Sequence, residues 1–525
     1  MDSLPVSPAV FICGAFATYT IGTWIYNLFF HPLRHVPGPW YTAISSSWLS
    51  FQDMAFKKAL VIDELHQKYG PVVRVEPNVV AFLDAATTRF VYSSTSKLPK
   101  SQFYKALLTN ENDHAMTTLD PLLHAPKKRA YGPHYTPNNL SLYQPEMREY
   151  TQLLLEKMDS YKGQKSFDCL VLFRRLLVDV IFVSSYGQRI NSLKQWDTET
   201  FKEDPASEIV ASINLFPIRG VFRASVPKYL WDVLCKIPIK AWKRVVDSDR
   251  RVAEYVIAAR DKLVQTDKRL DLTTGDLETD GETDERLSLI HRLLRQQVKA
   301  KAEDRLSDRD IISEAMGHTI AGVDTSSTTL SYMMYTLANR PDILAKLREE
   351  IDPLMPDDGQ SGKRTAPDFL VLNRLPYLTG FVKESLRLYG SGPSLLERVV
   401  PQTLQGEFSI KGIPIPAGSV VGTQAWSVHR DPAVFPDPYA FQPERWLEET
   451  EEMRSAMMPF GTGGRICGGM NLAQYMLRIA LVSTIRNFDV VVPPETTPES
   501  MACRFAFVLL PAAQRVDLIF TPRKD

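Results

Sequence analysis

The chain has 525 residues, enough for a large core in two to four domains or in one unusually large one. Lysine plus arginine and aspartate plus glutamate number 61 each, so no net field favours nucleic acid or an acidic partner. Five cysteines (Cys13, Cys169, Cys235, Cys467 and Cys503) are scattered without CxxC pairs, which argues against a disulfide framework or structural zinc and for a reducing compartment.

From Ser3 to Leu33 there is no Asp, Glu, Lys or Arg, and Ala9 to Phe30, as one helix, would span about 33 Å, enough to cross a bilayer. Trp24, Tyr26, Phe29 and Phe30 cluster at one end, as aromatic residues do at a headgroup boundary. Only Asp2 is charged before the segment and Arg34 follows it, so the positive-inside rule leaves the C-terminal body in the cytosol. A cleaved signal peptide competes, because Ala15, Phe16 and Ala17 resemble a cleavage site, but the basic leader is missing and the apolar run continues past it. The expectation is an anchor over 1–33, a proline-rich hinge over 34–39 and the body over 40–525.

In the body, Val72–Glu76 and Val79–Leu83 read as a hairpin about Pro77 and Asn78, and Gln405 to Val421 as a second β region. Amphipathic spacing predicts helices over Leu140–Met158, Phe167–Tyr186, Trp242–Val264, Leu287–Ala302, Asp308–Asn339, Asp342–Glu350 and Tyr377–Tyr389. Asp276, Glu278, Asp280 and Gly281 open like a calcium loop, yet its twelfth position is Leu287 where a bidentate acid is needed, so an acidic solvated loop is favoured. Asn139 begins a glycosylation acceptor that a cytosolic body would leave unused. No GxGxxG or Walker sequence follows a strand, so the chain carries no flavin reductase domain of its own.

Three constellations carry chemistry. Within the Asp308–Asn339 stretch, Ala321, Gly322, Asp324 and Thr325 set an acid beside a threonine in mid-helix, a local conflict of the kind found at functional sites. If this helix crosses the distal face of a haem, Gly322 would leave room for dioxygen, Thr325 would hydrogen-bond it and Asp324 would supply protons through water. Gly317, one turn earlier, suggests space for a bulky substrate. Glu384 and Arg387, at i and i+3, can touch on one helical face, and Arg445 offers a third member for a buried structural network. Finally, Phe460 to Gly469 places Cys467 in a glycine-rich turn with Arg465 two residues before it. Glycines such as Gly463 and Gly469 let backbone approach a macrocycle and aim N–H groups at the sulfur, Arg465 would pair with a propionate, and Phe460 would shield the thiolate.

These signatures, in this order and from hinge to C-terminus, resemble the cytochrome P-450 family, in its membrane-anchored, microsomal, fungal form. The resemblance implies a mainly α fold: one helix-rich domain with a small β lobe, plus one N-terminal transmembrane helix. It implies haem b with Cys467 as axial ligand, Asp324 and Thr325 as the proton-delivery pair, and Glu384, Arg387 and Arg445 as the structural triad. By alignment, His124 and Lys128 stand where the family has a tryptophan and an arginine on the propionates, and Arg398 matches the arginine after the ExxR helix; lysine lacks the arginine fork. Trp446 replaces a usual phenylalanine. The loop Phe103–Leu123 and the segment Ile213–Pro227 should roof the pocket, the latter dipping Phe216, Ile218 and Phe222 into the membrane. The implied activity is monooxygenation of an apolar small molecule in fungal secondary metabolism, such as terpenoid or polyketide formation. Electrons would come from NADPH through a separate cytochrome P-450 reductase, with cytochrome b5 a further candidate, at the endoplasmic reticulum membrane. The alternatives are an electron-independent haem-thiolate isomerase or dehydratase, and a membrane-tethered haem binder without turnover.

Overall fold

A computed structural model describes residues 8–196, 205–267, 286–355 and 364–523. The segment that resembled a calcium loop, Asp276 to Gly281, lies outside them. At the N-terminus, α1 (Pro8–Ile25) is followed by a wider, π-type turn over Tyr26–Phe30, so the expected single helix Ala9–Phe30 is interrupted. The cause is docking: Asn27 is buried, its carbonyl accepts from Arg74 Nη1 at 3.0 Å, and Leu33 and Val36 pack into the β lobe. Val10, Phe11, Ile12, Phe16 and Tyr19 of α1 are exposed. No helix among the described residues is long and apolar enough to cross a membrane.

The body is mainly helical. Its principal helices are α2 (Pro121–Tyr131), α3 (Gln144–Asp159), α4 (Cys169–Tyr186), α5 (Pro205–Ser225), α6 (Ser248–Thr266), α7 (Leu289–Lys299), α8 (Asp308–Asn339), α9 (Pro376–Tyr389) and α10 (Met470–Asn487). The predicted Leu140–Met158 helix is two, because Pro145, in the first turn of α3, cannot continue the short helix Pro137–Ser141. Trp242–Val264 likewise divides at Asp247. By contrast α8 runs from Asp308 to Asn339 as expected, opened by a capping box in which Ser307 and Asp310 satisfy each other's main-chain N–H.

Four strands, β1 (Val72–Glu76), β2 (Val79–Phe82), β3 (Arg398–Val399) and β4 (Val420–Gly422), form a sheet in the order β1-β2-β4-β3. β1 and β2 are the predicted hairpin, and β4 runs parallel to β2. A second hairpin, β5 (Cys503–Ala506) and β6 (Val508–Pro511), turns at Phe507, whose φ of 64° is left-handed. In the centre, α8 packs along α4, which is buried on nearly every face, and both touch the largest hydrophobic cluster. Phe216 and Ile218 are buried rather than membrane-facing, and Phe222 packs with Phe56; the exposed apolar residues nearby are Tyr229, Leu230, Val233 and Ile239.

The proposed charge network forms as expected and gains a member. Arg387 grips Glu384 in two parallel bonds, Nε to Oε2 at 2.9 Å and Nη2 to Oε1 at 2.8 Å, and Arg445 Nε adds one at 3.2 Å. Trp446 Nε1 donates to Glu384 Oε2 at 2.9 Å, a bond that phenylalanine could not make. Arg387 also donates to the carbonyls of His429, Pro438 and Ala440, so one buried guanidinium ties α9 to the irregular chain that leads into the Cys467 loop. Removing the carboxylate with Glu384→Ala leaves a fully buried cation uncompensated; the expected cost is about 3–5 kcal/mol, read as a lowered Tm or loss of soluble protein.

Candidate haem site

Cys467 sits just before the N-terminus of α10, an 18-residue helix whose first residue is Met470. The N–H groups of Gly469 and Met470 point at the sulfur, and the Cys467 N–H donates to Phe460 O at 2.9 Å, closing the loop. Burial pushes the thiol up, and those two N–H groups pull it back towards the thiolate. The unpaired N–H groups of a helix start favour a negative sulfur for the same reason. Cys467 is exposed, but what it faces is an interior cavity of about 310 Å³.

Across the cavity lies one face of α8, with Ala321, Gly322 and Thr325 in its wall. The Thr325 hydroxyl bonds back to Ala321 O at 2.7 Å, and the Thr325 carbonyl accepts from Ser391 Oγ at 2.8 Å, which joins the distal helix to the turn after α9. Asp324 departs from expectation. It is not in the wall; its Oδ1 takes Arg174 Nε at 3.0 Å and Nη2 at 2.8 Å on the buried side facing α4. The same Nη2 reaches Asn214 of α5 at 2.6 Å. Burial raises the Asp324 carboxyl and Arg174 offsets part of that, so the acid's partner is the Arg174 guanidinium rather than the cavity.

Two glycines have other reasons than open space. Both line the cavity, but a Cβ on Gly322 would stand 2.2 Å from Ile181 Cδ1 of α4 and one on Gly317 2.7 Å from His114 Nδ1, so each glycine also admits a neighbouring side chain. Gly463, expected at the cofactor, is outside the wall: with φ of 65°, its Cβ would fall 1.7 Å from Tyr92 O. Phe460 and Gly469 do line the cavity.

At one edge, basic side chains converge. His124, Arg398 and Arg465 line the cavity as expected, and Lys100, which the sequence reading missed, joins them. Main-chain carbonyls hold three of them: Lys100 Nζ reaches Met116 O at 2.6 Å, Arg398 Nη1 reaches Glu397 O at 2.8 Å, and Arg465 reaches Thr118 O at 2.9 Å and Leu119 O at 3.1 Å. Burial and neighbouring cations push Lys100 well down, Arg465 down to about 10 and His124 down to about 3. Such a cluster is short of an anion, and the two propionates of haem have the chemistry to supply it. Lys128 is not part of it; its Nζ bonds Gly464 O at 2.9 Å and steadies the cysteine loop from outside. Phe507, from the β5–β6 turn, is a second wall residue without a sequence signal, since only the hairpin's docking brings it in. The residues present therefore fit haem: a sulfur ligand below, cations at one edge and apolar walls.

Comparison with known proteins agrees. The cytochrome P-450 family model matches residues 35–518. Among curated proteins, the chain is 27% identical to cytochrome P-450 monooxygenase tazI of Aspergillus terreus, over 89% of this chain and 88% of that one. It is 28% identical to the tryprostatin B 6-hydroxylase of Neosartorya fischeri, over 92% and 81% respectively. A zebra fish cytochrome P-450 structure with abiraterone shares the fold, with a TM-score of 0.66 at 22% identity, covering 89% of this chain and all of that one. With the sulfur, the cavity and the cationic edge in place, this chain belongs to the cytochrome P-450 family, as a haem-thiolate oxidoreductase.

Proposed function

We propose that this enzyme inserts one atom of dioxygen into an apolar small molecule, by hydroxylation or epoxidation, in fungal secondary metabolism such as terpenoid or polyketide formation. The observation that carries the reading is the Cys467 sulfur, met by two main-chain N–H groups and facing Thr325 across an enclosed cavity. The relative named as a tryprostatin B hydroxylase supports hydroxylation of a secondary metabolite. When bound, haem supplies reductive activation of dioxygen, aided by thiolate donation.

The chain's own residues do the rest. Gly469 and Met470 hold the sulfur's charge, and Lys100, His124, Arg398 and Arg465 orient the propionates. Leu177, Val180 and Ile181 of α4 and Phe507 keep the cavity wall apolar, which excludes water and selects a greasy substrate. Thr325 keeps a hydroxyl at the wall. Electrons would come from NADPH through a cytochrome P-450 reductase, with cytochrome b5 as a second donor. The exposed apolar side chains of α1 support residues 1–33 as a membrane anchor, with 34–39 as hinge and 40–525 as the cytosolic catalytic domain at the endoplasmic reticulum. Arg174's hold on Asp324 is the one observation favouring an electron-independent isomerase or dehydratase, which would turn over without reductase.

Three measurements follow from this reading. The reduced carbon-monoxide difference spectrum should show a strongly red-shifted Soret band that Cys467→Ala abolishes, with NADPH consumption once reductase is added; identical spectra in both proteins would remove Cys467 as ligand. Lys100→Met should speed haem transfer to apomyoglobin about tenfold, the equivalent of about 1.5 kcal/mol for one charged hydrogen bond. Removal of residues 1–33 should move the protein from the membrane pellet to the supernatant, with the spectrum kept.

A further inference from the structure

Directly behind the basic edge of the cavity stands a buried acid, Glu397, that neither touches the cysteine loop nor lines the wall. Lys100 and Arg398 face each other as an antiparallel bridge between the loop before Gln102 and the start of β3, joined further by Val399 N–H donating to Pro99 O at 2.8 Å. Side chains alternate along such a pair, so the neighbours Ser101 and Glu397 belong to the opposite side from Lys100 and Arg398. The structure follows that rule: Lys100 and Arg398 line the cavity, and Ser101 and Glu397 do not. Instead the Ser101 hydroxyl donates to Glu397 Oε2 at 2.5 Å, and both residues are buried.

This pair is tied in on both sides. Ser101 Oγ also accepts from Phe103 N–H at 3.2 Å, capping the turn Gln102–Leu107. Glu397 Oε1 stands 3.8 Å from Lys58 Nζ, at the start of the helix Lys58–Tyr69, and the same ammonium lies 3.7 Å from Asp53 Oδ2 and 4.7 Å from the centre of the Phe103 ring. Burial works against the Lys58 charge, but Asp53, Glu397 and Glu76 outweigh it and hold the ammonium above its ordinary value. On the cavity side, Lys100 Nζ lies 4.3 Å from the centre of the Tyr104 ring and the Arg398 guanidinium 5.0 Å from that of Tyr92. The Tyr92 hydroxyl donates to Leu396 O at 2.6 Å and accepts from Thr423 N–H at 2.9 Å, which fixes the strand just ahead of Glu397.

We propose that Ser101 and Glu397 are positioning residues for the haem propionates: their bond, on the face turned from the cavity, locks the backbone of Lys100 and Arg398 in the register that presents both side chains to one anionic edge. This rests on the reading of Lys100, Arg398 and Arg465 as the groups that receive the propionates. Lysine and arginine each lose up to about 2 kcal/mol of side-chain freedom when ordered, and here they stand on a loop and on a strand of two residues, joined by one isolated bridge. A tie between the two backbones sets that geometry before the cofactor arrives, so less ordering remains to be done on binding. The side matters as much as the bond. A carboxylate on the cavity face would satisfy the two basic groups itself and compete with the propionates, whereas alternation places Glu397 behind them, where Ser101 and Lys58 are its partners.

The test uses the full-length, haem-loaded protein: wild type, Ser101→Ala, Glu397→Leu, Glu397→Gln and, as the reference for a disturbed propionate edge, Lys100→Met. Two readouts are taken, the rate of haem transfer to apomyoglobin and the propionate-bending bands in the resonance Raman spectrum, which general loosening of the fold does not move. Ser101→Ala and Glu397→Leu should each speed transfer about tenfold and shift the propionate bands in the direction that Lys100→Met shifts them. Glu397→Gln keeps an acceptor for the Ser101 hydroxyl but not its charge, so it should fall between these and wild type, at about threefold. The proposal is overturned if Ser101→Ala and Glu397→Leu keep the wild-type rate and bands, or if transfer quickens while the bands stay where they were. Should Glu397→Leu fail to load haem, Ser101→Ala decides, since it removes one oxygen from a small side chain. If Lys100→Met itself leaves both readouts at their wild-type values, the reading of the basic edge falls and the positioning role falls with it; bands moved by Lys100→Met alone overturn only the role of Ser101 and Glu397.

Discussion

The structure depends on presenting one sulfur to main-chain donors inside an apolar interior. A buried thiol resists ionisation, and here the opposing force comes from main chain: the N–H groups of Gly469 and Met470, at the head of α10, converge on Cys467. Main-chain donors do not titrate. The rest of the fold holds that loop still, with Lys128 bonding Gly464 O from α2 and Gly463 pressed against Tyr92 O.

The same economy of polar groups organises the other side. Lys100, Arg398 and Arg465 are oriented by neutral carbonyl oxygens, so no carboxylate among those bonds competes with an anion in the cavity. Glu384 and Arg387 do the opposite: each satisfies the other, and the surplus donors of Arg387 collect three distant carbonyls. One cluster is poised to bind and the other to stay closed. Removing a partner from the closed one is the costlier change, because nothing from outside can replace it.

On the distal helix, the acid beside Thr325 has a partner and the acid eleven residues earlier has bonding capacity to spare. Arg174 bridges Asp324 on α8 to Asn214 on α5, so it serves as a three-helix tie in this geometry. Glu314 Oε1 and His318 Nε2 are enclosed without hydrogen bonds, packed towards Lys127 and towards each other's side chain.

Much of the site was legible in the sequence because its signals are local. Cys467 among glycines, Glu384 three residues from Arg387 and the 32-residue periodicity of α8 each follow from backbone geometry within a few turns, and all three hold in the structure. The direction in which Asp324 points is not local: helical spacing puts it next to Thr325, but only the arrival of Arg174 from α4 determines which side it serves. Gly317 and Gly322 do line the cavity, but that His114 and Ile181 press against them is not visible in the sequence. Lys100 and Phe507 carry no motif, and the unbroken run Ala9–Phe30 ends early because Asn27 meets Arg74, 47 positions away. The sequence by itself thus determined the chemistry, through residue types whose spacing makes ligand, acid and ion pair possible. Tertiary structure decided which of those groups face the cavity, because facing is settled by contacts between segments far apart in the chain.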